Sequence, residues 1–389
     1  MAAETLRGQD EALTLLRAAL RSGHIGHSYL FHGPSGVGKT RAALYFARAL
    51  LCESRREDGS PCDDCESCRL ALALKHPDLE LYVPLPTFSS EGRTERQAEE
   101  ARSEARAAVR TRLASDPYYL PIFAKPAVHS VEDLARAKQF LSMTAGREGG
   151  AKVLIVKRAE AMTGPAAHAF LKILEEPQEN RVLILGARQV RALLPTIQSR
   201  CLHVRFRPLP TEWIASVLTE RGVSKPVASL AAAASDGSLG RALTHFESPL
   251  DGAGKGPLAP AGRGPVDDGE FSRLRAAALD LFVNPKEAAV LGPLRKGRLD
   301  RDRPRFLAAV SLALHYYRDV LRVRVLGEKT ALINEDLRTR ISTDARALSV
   351  ESLTRRVRVL EEIAESVQSN VTIPYAVASA QYRMAEGLA

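Results

Sequence analysis

The sequence predicts an α/β domain built on a mostly parallel sheet, followed by an all-helical C-terminal domain. Three observations carry this expectation. Short apolar strands alternate with helical stretches through the first half of the chain, the pattern of a parallel sheet covered by helices. Residues 33–40 read Gly-Pro-Ser-Gly-Val-Gly-Lys-Thr, a complete phosphate-binding loop. From Phe271 onward only helical periodicity is seen, for example at Leu307, Val310, Leu314 and Tyr317.

The elements follow in order. Leu13, Leu16 and Leu20 recur at helical spacing and open the chain with an amphipathic helix. His27–His32 is a short apolar strand that runs straight into the glycine loop, and Ala42–Leu51 continues as a helix. This strand–loop–helix order is the context a phosphate loop requires. Residues 89–112, dense in Glu, Arg and Ala, read as a solvated helix or a mobile insertion. Asp116–Pro126 is a proline-punctuated aromatic loop, and Val131–Met143 resumes a helix. Val153–Val156 and Val182–Leu185 are two buried strands, with the helix Pro165–Glu175 between them. Pro208-Leu209-Pro210 breaks the chain, and a small helical segment runs from about Glu212 to His245. Residues 248–269, rich in Gly and Pro, read as a linker.

A chain of 389 residues accommodates two or three domains with a sizeable core. The formal net charge of +9 suits a nucleic acid or an acidic protein surface as partner. The arginines are spread along the chain, so compositional bias accounts for the charge equally well. No apolar run approaches the length of a membrane span, and Met1–Arg7 lacks an apolar signal core. The expectation is a cytoplasmic protein without a membrane partner.

In the phosphate loop, Gly33, Gly36 and Gly38 let the backbone curl so that its N–H groups face phosphate oxygens. Pro34, Ser35 and Val37 complete the turn, Lys39 reaches the terminal phosphates, and Thr40 offers a hydroxyl to magnesium. The implied cofactor is ATP or ADP with Mg²⁺; the bland alternative is an inherited loop that no longer binds. Hydrolysis further needs an acidic pair at the end of a second strand. After Val153–Val156 the chain instead reads Lys157-Arg158-Ala159-Glu160, two cations that repel magnesium, with Glu160 past the usual place.

Four of the five cysteines crowd together as Cys52, Cys62, Cys65 and Cys68. Four thiolates with no open position describe a structural zinc site, and an iron–sulfur cluster is the alternative. Cys201 has no neighbouring cysteine and is expected to be buried. Just before it, Ser199-Arg200 follows a helical turn at Leu193–Gln198. Arg200 either projects into a neighbouring subunit to stabilise a transferring phosphoryl group or simply caps the helix C-terminus.

Together these motifs resemble the bacterial clamp-loader family of AAA+ proteins, subunits of DNA polymerase III. The resemblance is carried by Gly8-Gln9, His27–Phe31 with Gly33–Thr40, the cysteine cluster and His76-Pro77-Asp78. Further along come Ala169–Pro177 (Ala-Phe-Leu-Lys-Ile-Leu-Glu-Glu-Pro), Ser199-Arg200-Cys201 and, late in the chain, Asn370-Val371. It covers residues 1–80 and 128–245 well and 248–389 only through helical pattern.

The family has two kinds of seat, an ATP-hydrolysing motor (gamma/tau) and a non-catalytic stator. The motor carries Asp-Glu where Lys157 and Arg158 stand, Thr-Thr where Gly186-Ala187-Arg188 stands, and an arginine where Gly240 follows Gly237-Ser238-Leu239. The resemblance therefore implies the stator, with Arg200 as an arginine finger acting in trans on a neighbouring ATP. It implies an AAA+ nucleotide-binding domain at 1–209 with a zinc module at about 52–68, whereas the insertion at about 85–127 is not part of the family's usual pattern. It further implies a helical lid at 210–247, a linker at 248–270 and a helical collar domain at 271–389 that oligomerises. The implied partners are gamma/tau and delta in a heteropentamer, the beta sliding clamp, and primed DNA reached through the complex, within a DNA-directed DNA polymerase holoenzyme. The alternatives are a gamma/tau-type motor and a non-replicative AAA+ nucleotide-sensing adaptor.

Overall fold

A computed structural model describes residues 7–86, 94–121, 123, 127–147, 149–176, 178–246, 268–283, 294, 299–300, 302–368 and 371–385. Most of the expected linker and Asn370 lie outside them. The chain divides into two compact units. The first comprises residues 1–121, 127–210 and 238–240; the second comprises 122–126, 211–237 and 241–389.

The first unit is an α/β sandwich. Helix α1 (Asp10–Ser22) buries Leu13, Leu16 and Leu20 and stops at Gly23, whose φ of 73° is left-handed. Strand β1 (Ser28–His32) feeds the glycine loop and α2 (Lys39–Leu51). Next come α3 (Glu66–Leu72) and β2 (Leu79–Tyr82), then a two-stranded antiparallel ribbon of β3 (Leu85–Pro86) and β4 (Ala127–Val128). Helix α4 (Glu95–Ser115) lies between the ribbon strands, and α5 (Val131–Ser142) follows them. Both helices open with a full capping box, Thr94 with Gln97 and Ser130 with Asp133. The unit continues through β5 (Lys152–Val156), α6 (Gly164–Glu175), β6 (Arg181–Ala187), α7 (Pro195–Gln198) and β7 (Leu202–Arg205).

The main sheet has the order β2-β5-β6-β1-β7, with every pair parallel. Its central strands are covered on both faces, so β5 is buried along its whole length and, after Lys152, reads as a continuous apolar run. Strands β1, β5 and β6 are those the sequence indicates, whereas β2 and β7 go beyond it. Strand β7 (Leu-His-Val-Arg) buries only Val204, because it is an edge strand with one face in solvent.

Helix α4 is the helix of the two readings, a solvated helix or a mobile insertion, but one face of it is buried. Ala105, Val109 and Leu113, spaced four apart, are buried. Arg102 and Arg106 reach the buried Asp133 at 2.7 and 2.9 Å, and Arg110 reaches Glu80 at 2.7 Å. Few large apolar residues suffice because ion pairs to α5 and β2 complete the seat.

The second unit is helical: α8 (Thr211–Glu220), α9 (Lys225–Ala233), most of α10 (Leu239–Thr244), α11 (Asp268–Phe282), α12 (Arg303–Leu326), α13 (Arg338–Ala347), α14 (Val350–Gln368) and α15 (Ile373–Ala385). Helix α12 is its core and packs against α11, α13 and α14. Buried Asp319 on α12 accepts from the Ile333 and Asn334 backbone amides and the Asn334 side chain, at 3.1, 2.7 and 2.8 Å. Among the described residues no helix is long and apolar enough to cross a membrane.

Candidate functional site

The phosphate loop sits where the sequence places it, between β1 and α2. Its entry is tied to the sheet by the Gly33 amide, which donates to the Ala187 carbonyl at 3.2 Å. Its far side is held by Gln9, whose side-chain amide donates to the carbonyls of Val37 at 3.1 Å and Arg207 at 2.7 Å. Gly38 caps α2 at φ 106°, a conformation that strains any residue with a Cβ. Ser35 and Gly36 are half-buried in the turn, and Thr40 is the second residue of α2. Lys39 folds back on the loop, and its ammonium donates to the carbonyls of Gly33 and Pro34 at 2.5 and 2.6 Å.

The strand end that should carry acids carries a tethered lysine amine. The Lys157 amide donates to Tyr82 O at 2.8 Å, and the Lys157 carbonyl accepts from His129 Nε2 at 2.7 Å. The Lys157 ammonium donates to Tyr119 O at 3.4 Å. Burial, then repulsion from Lys39 and Arg158, pushes the Lys157 amine down to about 7. Burial, partly offset by Glu160, pushes the Lys39 amine down to about 8. The Lys157 amine, lowered in part by Lys39, stands at the strand end where a carboxylate would hold magnesium. Glu160, which the sequence places past the usual position of the acid, is a largely buried carboxylate that pairs with Arg188 at 3.1 Å.

The four cysteines converge as expected. Cys52 caps the end of α2, Cys65 caps the start of α3, and Cys68 lies within α3. Their sulfurs all lie within 4.8 Å of one another, with Cys62 Sγ 3.9 Å from Cys68 Sγ. Zinc–sulfur bonds of about 2.3 Å in a tetrahedron require sulfurs about 3.8 Å apart, so this set fits one ion. Backbone amides of Cys62, Cys65 and Cys68 donate to the sulfurs of Cys52, Cys62 and Cys65 at 3.3–3.4 Å. Such bonds, led by the Asp64 amide, hold the Cys62 thiol down to about 6 and favour the ligating thiolate.

Arg200 lies at the other end of the sheet. Its carbonyl accepts from Ser28 Oγ, at the start of β1, at 2.6 Å, whereas the phosphate loop follows the end of that strand. Five residues of strand separate the two by roughly 16 Å, beyond an arginine's reach to its own loop. The guanidinium is exposed, 3.0 Å from Glu175 and 3.1 Å from the Thr196 carbonyl. Glu175 ends α6, so two motifs far apart in sequence meet here. Cys201 is buried, as expected.

A relative in Bacillus subtilis (strain 168), the DNA polymerase III subunit delta', is 27% identical over 366 residues, covering 94% of this chain and 92% of its own length. The family model described as "DNA polymerase III, delta subunit" matches residues 8–210, just over half of the chain. The chain belongs to the DNA polymerase III delta-prime family. Subunit delta' of Pseudomonas aeruginosa is 35% identical over 199 residues, 50% of this chain and 48% of that protein. The gamma/tau subunit of Mycobacterium tuberculosis is 31% identical over 211 residues, 54% of this chain and 29% of that protein. Among solved structures, a DNA polymerase III gamma subunit-related protein of Thermotoga maritima aligns with 96% of this chain and 99% of its own, at 17% identity and a TM-score of 0.38.

One residue beside the site has a pH signature. His129 is fully buried, donates from Nε2 to the Lys157 carbonyl, and leaves Nδ1 without a partner. Burial holds its imidazole down to about 4, against an ordinary value of 6.5. A lowered histidine takes up its proton more readily in the unfolded chain. Its contribution is therefore complete above about pH 6.5 and lost as pH falls toward 4, in total roughly 3 kcal/mol at ~1.4 kcal/mol per unit. Urea titrations between pH 7 and 4 should show that loss, and His129→Gln should flatten it. An unchanged pH slope in the variant would remove His129 as its source.

Proposed function

We propose that this chain is a non-hydrolysing stator subunit of a replicative clamp loader, assisting motor subunits that place a sliding clamp on primed DNA. The observation that carries the reading is Lys157, a tethered amine near Lys39 where a motor needs its acids. The position of Arg200 away from its own loop agrees with an arginine finger working in trans. Zinc at Cys52, Cys62, Cys65 and Cys68 would be structural, since four thiolates leave no coordination position for chemistry. The partners are gamma/tau and delta in a heteropentamer, with the beta clamp and DNA engaged through the assembly. DNA contact from this basic chain would be to phosphates. The cellular setting is the cytoplasm.

Reconstitution tests it. The isolated chain should show no ATP turnover, and adding it to gamma/tau and delta should complete a clamp-stimulated, DNA-stimulated ATPase. Failure to bind the other subunits would point instead to a separate nucleotide-sensing adaptor. A motor reading has one observation in its favour, the buried Glu160 carboxylate close enough to oppose the loss of charge on Lys39. Turnover by the isolated chain that Lys39→Ala abolishes would establish the motor.

A further inference from the structure

The insertion supplies more than a helix. After α4 the chain turns at Asp116, whose carboxylate accepts from the Tyr118 amide and whose carbonyl accepts from the Tyr119 amide, both at 3.0 Å. This turn lays Tyr118 on the phosphate loop. A Cβ added at Gly38 would lie 3.3 Å from the Tyr118 hydroxyl and 3.4 Å from its ring. Arg41, in the first turn of α2, holds its guanidinium 5.8 Å from the centre of that ring, and Tyr118 is only 4% exposed. The next residue is pinned as well: the Tyr119 carbonyl accepts from Lys157, and Arg112 lies over the Tyr119 ring at 5.5 Å.

A second contact closes the loop from another side, again within the first unit. The Gly240 amide donates to the Gly36 carbonyl at 3.1 Å. A Cβ at Gly240 would lie 2.7 Å from the Tyr118 carbonyl oxygen and 2.9 Å from Gly36 Cα. Glycine is thus required at 240 by the closeness of two backbones. The sequence resemblance places the motor's arginine at this position, where the two backbones here leave no space for a side chain. Lys39 agrees with closure, since its ammonium is spent on the carbonyls of Gly33 and Pro34 rather than offered outward.

We propose that the segment Asp116–Leu120 is a built-in occupant of the phosphate loop, which takes a nucleoside polyphosphate only when this segment is displaced. The segment is an autoinhibitory strap anchored through α4 by Arg102, Arg106 and Arg110. The proposal rests on reading residues 33–40 as a competent phosphate loop, and it stands apart from the role of Arg200.

The test is a titration of the full-length protein with a fluorescent N-methylanthraniloyl ATP, with and without Mg²⁺. Wild type should bind at least tenfold more weakly than Tyr118→Ala, and Lys39→Ala placed on that variant should erase the gain. Tyr118→Phe keeps the ring on Arg41 and should behave as wild type. Gly240→Ala, which pushes on the Tyr118 carbonyl, should open the loop independently. Zinc content and thermal midpoint verify that each variant is folded. Equal affinity in wild type, Tyr118→Ala and Gly240→Ala would overturn the strap. No binding by any of them would overturn it too, because the loop would then be incompetent even when uncovered. Assembly with gamma/tau and delta, measured on the same proteins, reports the stator role separately from either result.

Discussion

Replacing Arg200 with alanine is expected to lower the ATPase rate of the reconstituted clamp loader by roughly 10³-fold, with subunit assembly intact. The size follows from what such an arginine does. An arginine finger meets charge that develops on the transferring phosphoryl oxygens. The assembly should survive because the side chain carries little of the fold. Its pairing with Glu175 joins two well-exposed groups, and exposed pairs contribute about 1 kcal/mol or less. The same weakness lets the guanidinium leave Glu175 and turn toward a neighbour. Arg200→Lys separates charge from geometry: lysine keeps the charge but not the planar fork, so only a small part of the rate should return. Glu175→Gln should produce a milder loss, since Glu175 orients the arginine without touching nucleotide. Unchanged turnover in the Arg200→Ala complex, with the complex shown to be whole, would end the arginine-finger reading.

The fold was legible wherever burial imposed a simple pattern. Strands β1, β5 and β6 are the inner strands of the sheet, so both their faces are apolar and their residues stand out. Strand β2 (Leu-Glu-Leu-Tyr) and strand β7 (Leu-His-Val-Arg) are edges, where polar residues interrupt the run. Their pairing is decided by partners far away in sequence, which no local window contains. The convergence of Cys52, Cys62, Cys65 and Cys68 was legible because their chemistry is carried by residue type and spacing alone. The strap was not. Asp-Pro-Tyr-Tyr reads as an aromatic loop, and nothing in it says that Tyr118 rests on Gly38. Gly240 was visible only as a missing arginine, and its reason is a backbone contact with Gly36. His129 belongs to no motif, and Glu160 was seen only as an acid past the usual place; the burial of each is supplied by the fold.

Loss of the metal should unfold a defined part of the first unit while leaving the sheet standing. Elemental analysis should find one zinc per chain, because four sulfurs within 4.8 Å of one another enclose a single ion and leave no room for the several irons of a cluster. An iron–sulfur cluster would colour the protein and release sulfide on acidification, and finding both would overturn the zinc assignment. Zinc bound by such a set supplies on the order of 10 kcal/mol of apparent folding energy. Most of that energy holds the loop between α2 and α3, where apolar contacts are few and residues 53–58 are exposed. Cys62→Ser and Cys68→Ser should therefore lose zinc and become cleavable by protease between residues 53 and 66. The remainder melts separately, because β1, β5 and β6 are buried without help from this loop. Arg48 should soften the effect slightly: it is a buried α2 residue that holds Asp63 of the loop at 3.0 Å. Turnover in the reconstituted complex should remain dependent on Arg200, since a closed tetrathiolate has no position for substrate. Resistance of the metal-free variants to protease would mean that the loop is held by its own contacts, and the cysteines would then lose their structural role.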